Sequence, residues 1–239
     1  MMKRFILIAF FFALFGLSSE SKDFYLLSVG IADYPGTHKD LNLPGNDAKA
    51  IAALYTTCNR AHTVLLINEN ATRKNIIIAA KSLFSQANKE DVIIFFFSGH
   101  GSTGCFCAHD GNLEYSEIRS VFASSKASSK MIFADACLSG GMRQGGHTGR
   151  HNLGSDIMLF LSSRDDEYSI ERRDMKNGYF TACLVRCLKG GGDENKDRII
   201  TAKELYKSVS KGVVKLSDDK QHPVMWGNFD DNMPVIDWN

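Results

Sequence analysis

A histidine and a cysteine each come just after an apolar stretch that is typical of a buried strand. His100 follows the stretch 92–97, and Cys137 follows the stretch 130–134. In an open parallel sheet, functional groups gather beyond the carboxyl ends of the strands. If the two strands are neighbours, the imidazole and the thiol face the same crevice. Imidazole can help to keep a thiol ionised, so the pattern predicts a nucleophile and its base.

Glycines flank both residues and leave room for a reacting carbonyl group. Gly99 and Gly101 border the histidine, and Gly140 and Gly141 follow the cysteine. Backbone N–H groups at such positions can approach a substrate carbonyl, as an oxyanion hole requires. Taken singly, the cysteine also fits a small core residue and the histidine a hydrogen-bonded loop residue. Together they favour acyl-transfer chemistry.

Apolar strands alternate with helical stretches from Asp23 onward. Strands are predicted at 24–29, 63–67, 92–97, 130–134 and 156–161. Helices are predicted at 46–55, 72–87 with Thr72 as the cap, 115–123, 179–188 and 201–211. We expect a short irregular section behind the third strand and an exposed Gly-rich loop at 140–154. The alternation predicts an α/β fold in one domain, with a mostly parallel sheet covered on both faces.

The composition is that of an ordinary globular protein. Of the 239 residues, 44% are hydrophobic and 23% are charged, and 28 basic against 27 acidic side chains leave a net charge of +1. This balance excludes a nucleic-acid binder that works through net basicity, and we expect no nucleic-acid partner.

Residues 1–19 have the three parts of a secretory signal peptide. A basic start precedes an uninterrupted apolar run at 5–17, and two serines form a small-residue exit. The run is short for a membrane-spanning helix, which needs about 20 residues. We expect cleavage near Ser19 and an extracytoplasmic protein, secreted or periplasmic, with no membrane attachment in its mature form. An uncleaved anchor or a buried helix is the alternative interpretation.

Four of the six cysteines lie in pairs that share one face of a predicted element. Cys105 and Cys107 alternate along a strand, and Cys183 and Cys187 are one helical turn apart. Export would permit disulfides, but this spacing favours unpaired, buried thiols, which are common in protein cores.

Seven segments resemble the caspase-like superfamily of cysteine peptidases, and its metacaspase branch in particular. They are GIADY (30–34), LPGNDAKAI (43–51), SGHG (98–101), DACLSG (135–140), LSSRDDEYS (161–169), GYFTACLVRCL (178–188) and QHPVMWG (221–227). Their order along the chain is that of the family. The resemblance implies a caspase-like three-layer αβα sandwich around a mostly parallel sheet, covering residues 23–239.

The resemblance also implies a cysteine endopeptidase that acts on proteins or peptides. Cys137 would attack the scissile carbonyl as a thiolate and form a thioester, while His100 transfers the protons. The backbone N–H groups of Gly101 and Cys137 would hold the oxyanion. This chemistry requires no metal ion and no organic cofactor.

The sequence departs from the metacaspase pattern at two places. Leu138 stands where metacaspases usually carry histidine, and residues 110–114 lack the adjacent aspartates of the calcium-dependent members. Calcium activation by that route is therefore not expected. Both departures favour, to a limited extent, a catalytically inactive caspase-like binding or regulatory module. Capture of the thioester by an amine, as in a transpeptidase, would use the same residues.

Acidic residues lie where the primary specificity pocket is expected. Asp135 precedes the cysteine by two positions, and Asp47 matches the second acidic pocket position of metacaspases. Ser98, the first residue of SGHG, is assigned to the same pocket. Carboxylates attract cations, so we expect cleavage after Arg or Lys and not after Asp. Alternatively, Asp135 is a turn residue, and Asp47 is a helix-start residue favoured by the helix dipole.

Two groups of residues contain ligands that metal ions prefer. His100, Cys105, Cys107 and His109 include only zinc-binding side-chain types, but their spacing is irregular. Residues 193–204 resemble an EF-hand loop, but Arg198 stands where the sharp turn normally needs glycine. The alternative for this loop is a polar turn that leads into a helix capped by Thr201, and we assign no metal site.

Basic residues offer sites at which such an enzyme could cut its own chain. Arg143 and Arg150 lie in the Gly-rich loop, and Arg172 and Arg173 form a second basic site. Caspase relatives are often cut between the nucleophile and the following strand, so an enzyme that prefers basic residues could cut its own chain at one of these sites.

Overall fold

A computed structural model describes residues 22–36, 40–102, 104–136, 157–164 and 174–238 of the chain. The strands are β1 (Phe24–Gly30), β2 (Ala61–Ile67), β3 (Val92–Ser98), β4 (Gly101–Ser102), β5 (Cys105–Ala108), β6 (Gly111–Glu114), β7 (Ser129–Asp135), β8 (Ile157–Leu161), β9 (Ile199–Thr201), β10 (Val224–Trp226) and β11 (Pro234–Asp237). The helices are α1 (Pro44–Tyr55), α2 (Arg73–Phe84), α3 (Tyr115–Ser124), α4 (Tyr179–Arg186) and α5 (Ala202–Leu216). All five strands and all five helices predicted from the sequence are present, with shifted ends.

A six-stranded sheet forms the centre of the protein, with the strand order β10-β8-β7-β3-β1-β2. All neighbouring strands are parallel except β10, which runs antiparallel to β8. The expectation that the strands before the histidine and the cysteine are neighbours is confirmed, because β3 pairs directly with β7.

The continuous apolar run of β3 is explained by burial on both faces of the sheet. Side chains alternate between the faces of a strand. Ile93, Phe95 and Phe97 therefore enter one core, while Val92, Ile94 and Phe96 enter the other. All six side chains are fully buried.

Helices cover both faces and complete three layers. The core on one face contains apolar residues of α2 and α3, and we call it the α2/α3 core. The core on the other face contains apolar residues of α1, α4 and α5, and we call it the α1/α4/α5 core. The prediction of an αβα sandwich around a mostly parallel sheet is confirmed.

The expectation of an irregular section after β3 is wrong, because the strands β4, β5 and β6 form a small antiparallel sheet there. Its strands have only two to four residues, too few for a periodic pattern to show in the sequence. Gly104 and Gly111 provide the positive φ values of the two turns, +84° and +146°. The predicted Gly-rich loop 140–154 lies outside the described residues.

Side-chain caps begin two of the helices as the sequence predicts. The hydroxyl of Thr72 accepts a hydrogen bond from the backbone N–H of Asn75 at the start of α2. Thr201 and Glu204 form a reciprocal capping box at the start of α5. In the described part of the chain, no helix is both long enough and apolar enough to cross a membrane.

None of the five cysteines among the described residues forms a disulfide. Cys105, Cys183 and Cys187 are buried as expected, whereas Cys107 is half-buried. Cys58, for which the sequence indicated no state, is also buried.

Candidate active site

Three strand ends lie side by side at the carboxyl edge of the sheet. Gly30 of β1 pairs with Ser98 of β3, which in turn pairs with Asp135 of β7. A Cβ atom on Gly30 would lie 2.2 Å from the carbonyl oxygen of Pro44. Only glycine therefore allows α1 to begin against the end of β1, which brings Asp47 in the first turn of α1 over this edge.

The carboxylate of Asp47 is buried and accepts three hydrogen bonds. Its Oδ2 accepts a bond from the Ser98 hydroxyl at 2.9 Å. Its Oδ1 accepts bonds from the Asn177 side-chain amide at 2.8 Å and from the Gly178 backbone N–H at 3.1 Å. The side chain thus ties the start of α1 to the end of β3 and to the start of α4. Asp47 does lie in the first turn of α1, as the alternative interpretation of a helix-start residue expects, and its side chain is only 2% exposed.

Asp135 brings a second buried carboxylate to the same place. Its Oδ2 accepts hydrogen bonds from the hydroxyl and the backbone N–H of Thr181, at 2.8 and 3.2 Å. A Cβ atom on Gly178 would lie 2.7 Å from Oδ2 of Asp135 and 3.5 Å from Oδ2 of Asp47. The two carboxylates therefore converge on Gly178, at the N-terminus of α4. We call Asp47 and Asp135 the acidic pair.

The two acidic groups disfavour each other's ionisation. Burial, and secondly the charge of Asp135, raises the pKa of Asp47 to about 8, against the opposing effect of three hydrogen-bond donors. Two interacting carboxyl groups titrate as a pair. A positive charge placed next to either carboxyl group would therefore favour the ionised form of both.

His100 lies two residues beyond β3, on the other side of this edge, and is positioned by Tyr34. The Tyr34 hydroxyl accepts a hydrogen bond from the backbone N–H of His100 at 2.9 Å and donates one to the carbonyl oxygen of Cys107 at 3.2 Å. The Tyr34 and His100 rings are also in contact, with centroids 4.9 Å apart. Burial raises the pKa of Tyr34 well above its usual value, so the hydroxyl stays neutral and can donate.

The Tyr34 hydroxyl replaces one hydrogen bond of the small antiparallel sheet. The N–H of Cys107 donates directly to the carbonyl of His100 at 2.9 Å. In the other direction, the N–H of His100 donates to the Tyr34 hydroxyl, which donates to the carbonyl of Cys107. The next pair, Gly101 and Phe106, is then of the non-hydrogen-bonded type. In such a pair the N–H groups point away from the partner strand. The N–H of Gly101 thus points away from β5, an orientation that an oxyanion-hole donor requires.

Cys137, the predicted nucleophile, lies outside the described residues. The last residues of the two preceding strands, Ser98 of β3 and Asp135 of β7, are paired. His100 and Cys137 each come two positions after one member of this pair.

Comparison with known proteins identifies the family. The sequence model of the caspase domain, peptidase family C14, matches residues 25–233. The chain belongs to the caspase domain family. Such a domain supports a cysteine-peptidase-like function in general, with proteins or peptides as substrates. This match does not distinguish the metacaspase branch from the rest of the family.

The fold of this caspase domain also occurs in a solved structure, protein GSU0716 from Geobacter sulfurreducens. The two chains are 21% identical, and the TM-score is 0.65 over 87% of this chain and 95% of the other. At this identity the likeness shows the fold alone. No curated protein matches this caspase domain in sequence.

The described part of this caspase domain contains no group of three or more His, Cys, Asp or Glu side chains that could hold a metal ion. The zinc grouping around His100 is therefore not formed. In the EF-hand-like loop, side chains of Asp193, Asn195 and Asp197 accept backbone N–H bonds of their own loop. The interpretation as a polar turn before α5 explains these contacts.

Four residues that shape the site were not singled out from the sequence. Tyr34 lies in the matched segment 30–34, and Gly178 and Thr181 lie in 178–188, while Asn177 comes just before the latter. The segments marked these positions, but the sequence did not indicate which residues contact the histidine or the carboxylates. Such contacts join parts of the chain that are far apart in sequence.

Proposed function

We propose that this caspase domain is a cysteine endopeptidase that hydrolyses peptide bonds after Arg or Lys. The observation that carries the proposal is the acidic pair, buried at the same sheet edge as His100. Two carboxylates held at fixed positions form a site for one cationic side chain. The proposal assigns Asp47 and Asp135 to the pocket for the residue before the cleaved bond.

The reaction proceeds through a thioester. The thiolate of Cys137 attacks the carbonyl carbon, and the N–H groups of Gly101 and Cys137 stabilise the negative charge on the carbonyl oxygen. The C–N bond breaks as protonated His100 gives its proton to the leaving amine. A water molecule then attacks the thioester, His100 takes a proton from it, and the thiolate leaves with release of the acid product.

The charge of the acidic pair determines the preference for a cation. Opposite charges about 4 Å apart interact by roughly 4 kcal/mol at an effective dielectric constant near 20. Desolvation removes part of this energy, but a preference for Arg or Lys over a neutral residue remains. An aspartate at the same position is repelled, which separates this enzyme from peptidases that cut after Asp.

Ser98 acts on the pocket through Asp47. Its side chain is buried, and its hydroxyl donates to Oδ2 of Asp47. Together with Asn177 and Gly178, it holds the Asp47 carboxylate in one orientation. Ser98 is therefore proposed as a positioning residue of the pocket.

Peptides that differ only in the residue before the cut test the proposal. The wild-type protein should cleave Arg and Lys peptides with kcat/KM at least a hundredfold above the Asp peptide, and Cys137→Ala should be inactive. Asp135→Asn should reduce kcat/KM for the Arg peptide at least tenfold. Asp231→Asn, at an exposed position, serves as the matched control and should leave it unchanged.

Two results would contradict the proposal in different ways. Equal turnover of Arg and Asp peptides, or an Arg preference unaffected by Asp135→Asn, would remove the pocket assignment. A Cys137 thiol that reacts with a covalent thiol probe no faster in the wild type than in His100→Ala, together with no cleavage, would indicate the binding module instead.

A further inference from the structure

A cavity of about 550 Å³ opens beside His100, on the side where Tyr34 lies. Its volume is within the usual range for sites that bind small ligands or single side chains with their backbone. Among the described residues, it is lined by Tyr34, Pro35, His100, Gly101 and residues 107–112.

The cavity and the acidic pair lie on opposite sides of the sheet edge. Tyr34 and Ala108 in the cavity wall belong to the α2/α3 core. Ala48 and Tyr179, the chain neighbours of Asp47 and Gly178, belong to the α1/α4/α5 core. His100 borders the cavity from the end of β3, at the edge between the two sides.

This arrangement fits the two sides of a cleaved bond. If the acidic pair holds the residue before the cut, the chain after the cut leaves past the imidazole, because His100 protonates its amine. The cavity is the space next to the imidazole on that side. We propose that it binds the side chain of the residue directly after the cleaved bond, an inference that rests on the proposed function.

The lining determines which side chain fits best. The ring of Tyr34, Pro35 and Ala108 present apolar surface. Asp110, an exposed lining residue, adds a carboxylate, whose Oδ1 accepts a bond from the backbone N–H of Arg73. The guanidinium of Arg73 is paired with Glu117. The cavity therefore favours a bulky aromatic or aliphatic side chain and disfavours Asp or Glu.

Peptides with Arg before the cut and Phe, Gly or Asp after it test this inference. The wild type should cleave the Phe peptide with kcat/KM at least tenfold above that of the Gly peptide, a typical discrimination for an apolar pocket. The Asp peptide should be the poorest substrate. Kcat/KM is measured for each peptide by mass spectrometry of the products.

Two variants locate the effect in the cavity. Asn112→Phe places a ring in the cavity from an exposed position on β6 and should bring the Phe-to-Gly ratio close to one. Lys211→Phe adds the same ring at an exposed position of α5, and should keep the wild-type ratio. Asp110→Asn retains an acceptor for the Arg73 N–H and should raise the Asp-to-Gly ratio at least threefold.

Each result distinguishes the inference from the function on which it rests. Cleavage after Arg that does not depend on the following residue would overturn the inference and leave the proposed function intact. The same holds if Asn112→Phe, with a wild-type melting temperature, keeps the wild-type ratio, or if Asp110→Asn leaves the Asp-to-Gly ratio unchanged. No cleavage of any Arg peptide would overturn both.

Discussion

Asp47 is a buried acidic residue whose ionisation depends on its neighbour Asp135. Its two oxygens are bound by three donors, yet its pKa is raised because burial and Asp135 together outweigh those bonds. A cationic substrate side chain would oppose the smaller of the two causes, since it compensates the negative charge of Asp135. Binding of such a substrate is therefore coupled to loss of a proton.

The coupling predicts a pH-dependent preference for charge. As the pH rises through about 8, the acidic pair loses its proton and gains one negative charge. The ratio of kcat/KM for an Arg peptide to that for a citrulline peptide, its uncharged analogue, should rise over this range. Other effects of pH on the reaction are common to both substrates and cancel in the ratio. Asp47→Asn should abolish the rise, and a rise that persists in this variant would contradict the assignment.

The same shift has a consequence for stability. Because the folded pKa of Asp47 exceeds the unfolded value of about 4, the protonated form stabilises the fold at low pH. That contribution is lost as the pH rises through about 8. Urea unfolding at several pH values should show a smaller loss of stability between pH 5 and 9 in Asp47→Asn than in the wild type. Equal losses would show that Asp47 titrates normally.

Tyr34→Phe should affect turnover more than binding. The substitution leaves the His100 N–H and the Cys107 carbonyl without the hydroxyl that joins them, while the ring contact with His100 remains. We expect kcat for Arg peptides to fall about tenfold and KM to change little, because His100 loses its backbone anchor. Steady-state kinetics provide the measurement. A stability loss of about 1–3 kcal/mol with unchanged kcat would indicate a purely structural role.

At the scale of elements, the N-termini of two helices meet over the strand ends. α4 donates the backbone N–H groups of Gly178 and Thr181 to Asp47 and Asp135. Helix N-termini favour negative charge, so α4 holds the acidic pair by its own backbone. The N-terminus of α4 therefore helps to fix the position of Asp47, which lies at the start of α1.

Gly178→Ala tests this arrangement of the helices. The new Cβ would lie 2.7 Å from Oδ2 of Asp135, so the carboxylate or α4 must shift. We expect kcat/KM for Arg peptides to fall at least tenfold. Gly45→Ala in α1 is the matched control, because its Cβ would meet only Ile67 at an ordinary 3.6 Å. It should retain activity, and equal effects of the two substitutions would contradict a specific role of Gly178.

At the scale of the whole molecule, the sandwich places the acidic pair and the cavity beside His100 on opposite sides of one sheet edge. The residues after β7 continue into a segment with two basic sites, Arg143 and Arg150. An enzyme that cuts after Arg would find these sites in its own chain.

Autoprocessing is therefore expected in the wild type and not in Cys137→Ala. Denaturing electrophoresis and mass spectrometry should show a cut after Arg143 or Arg150 in purified wild-type protein only. Arg143→Gln combined with Arg150→Gln should abolish the cut in this segment, and a remaining cut would be expected only after Arg172 or Arg173. A wild-type protein that remains uncut while it is active on peptides would show that processing is unnecessary.

A further expectation concerns the amino-terminal segment. Residues 1–19 have the pattern of a signal peptide, and we propose that the protein acts outside the cytoplasm. Amino-terminal sequencing of the exported protein should find a start close to Ser19. Recovery of intact Met1 in the mature protein would contradict this proposal.

The sequence alone determined the fold class and the candidate residues. Long apolar runs such as β3 can be recognised as strands from the sequence, because a strand buried on both faces needs apolar side chains at every position. Thr72 and Thr201 can be recognised as helix caps from the sequence, because a capping side chain bonds to a backbone N–H only three residues further along the chain. The positions of His100 and Cys137 after two such strands follow from the same local patterns.

Only the tertiary structure decided how these residues are held and which spaces surround them. Asp47 lies far along the chain from Asn177 and Gly178, and Tyr34 far from His100. Their contacts depend on strand order and on the approach of α1 and α4 to the sheet, which no local pattern encodes. The short strands β4, β5 and β6 form for the same reason. Their stability comes from packing against the α2/α3 core and not from their own two to four residues.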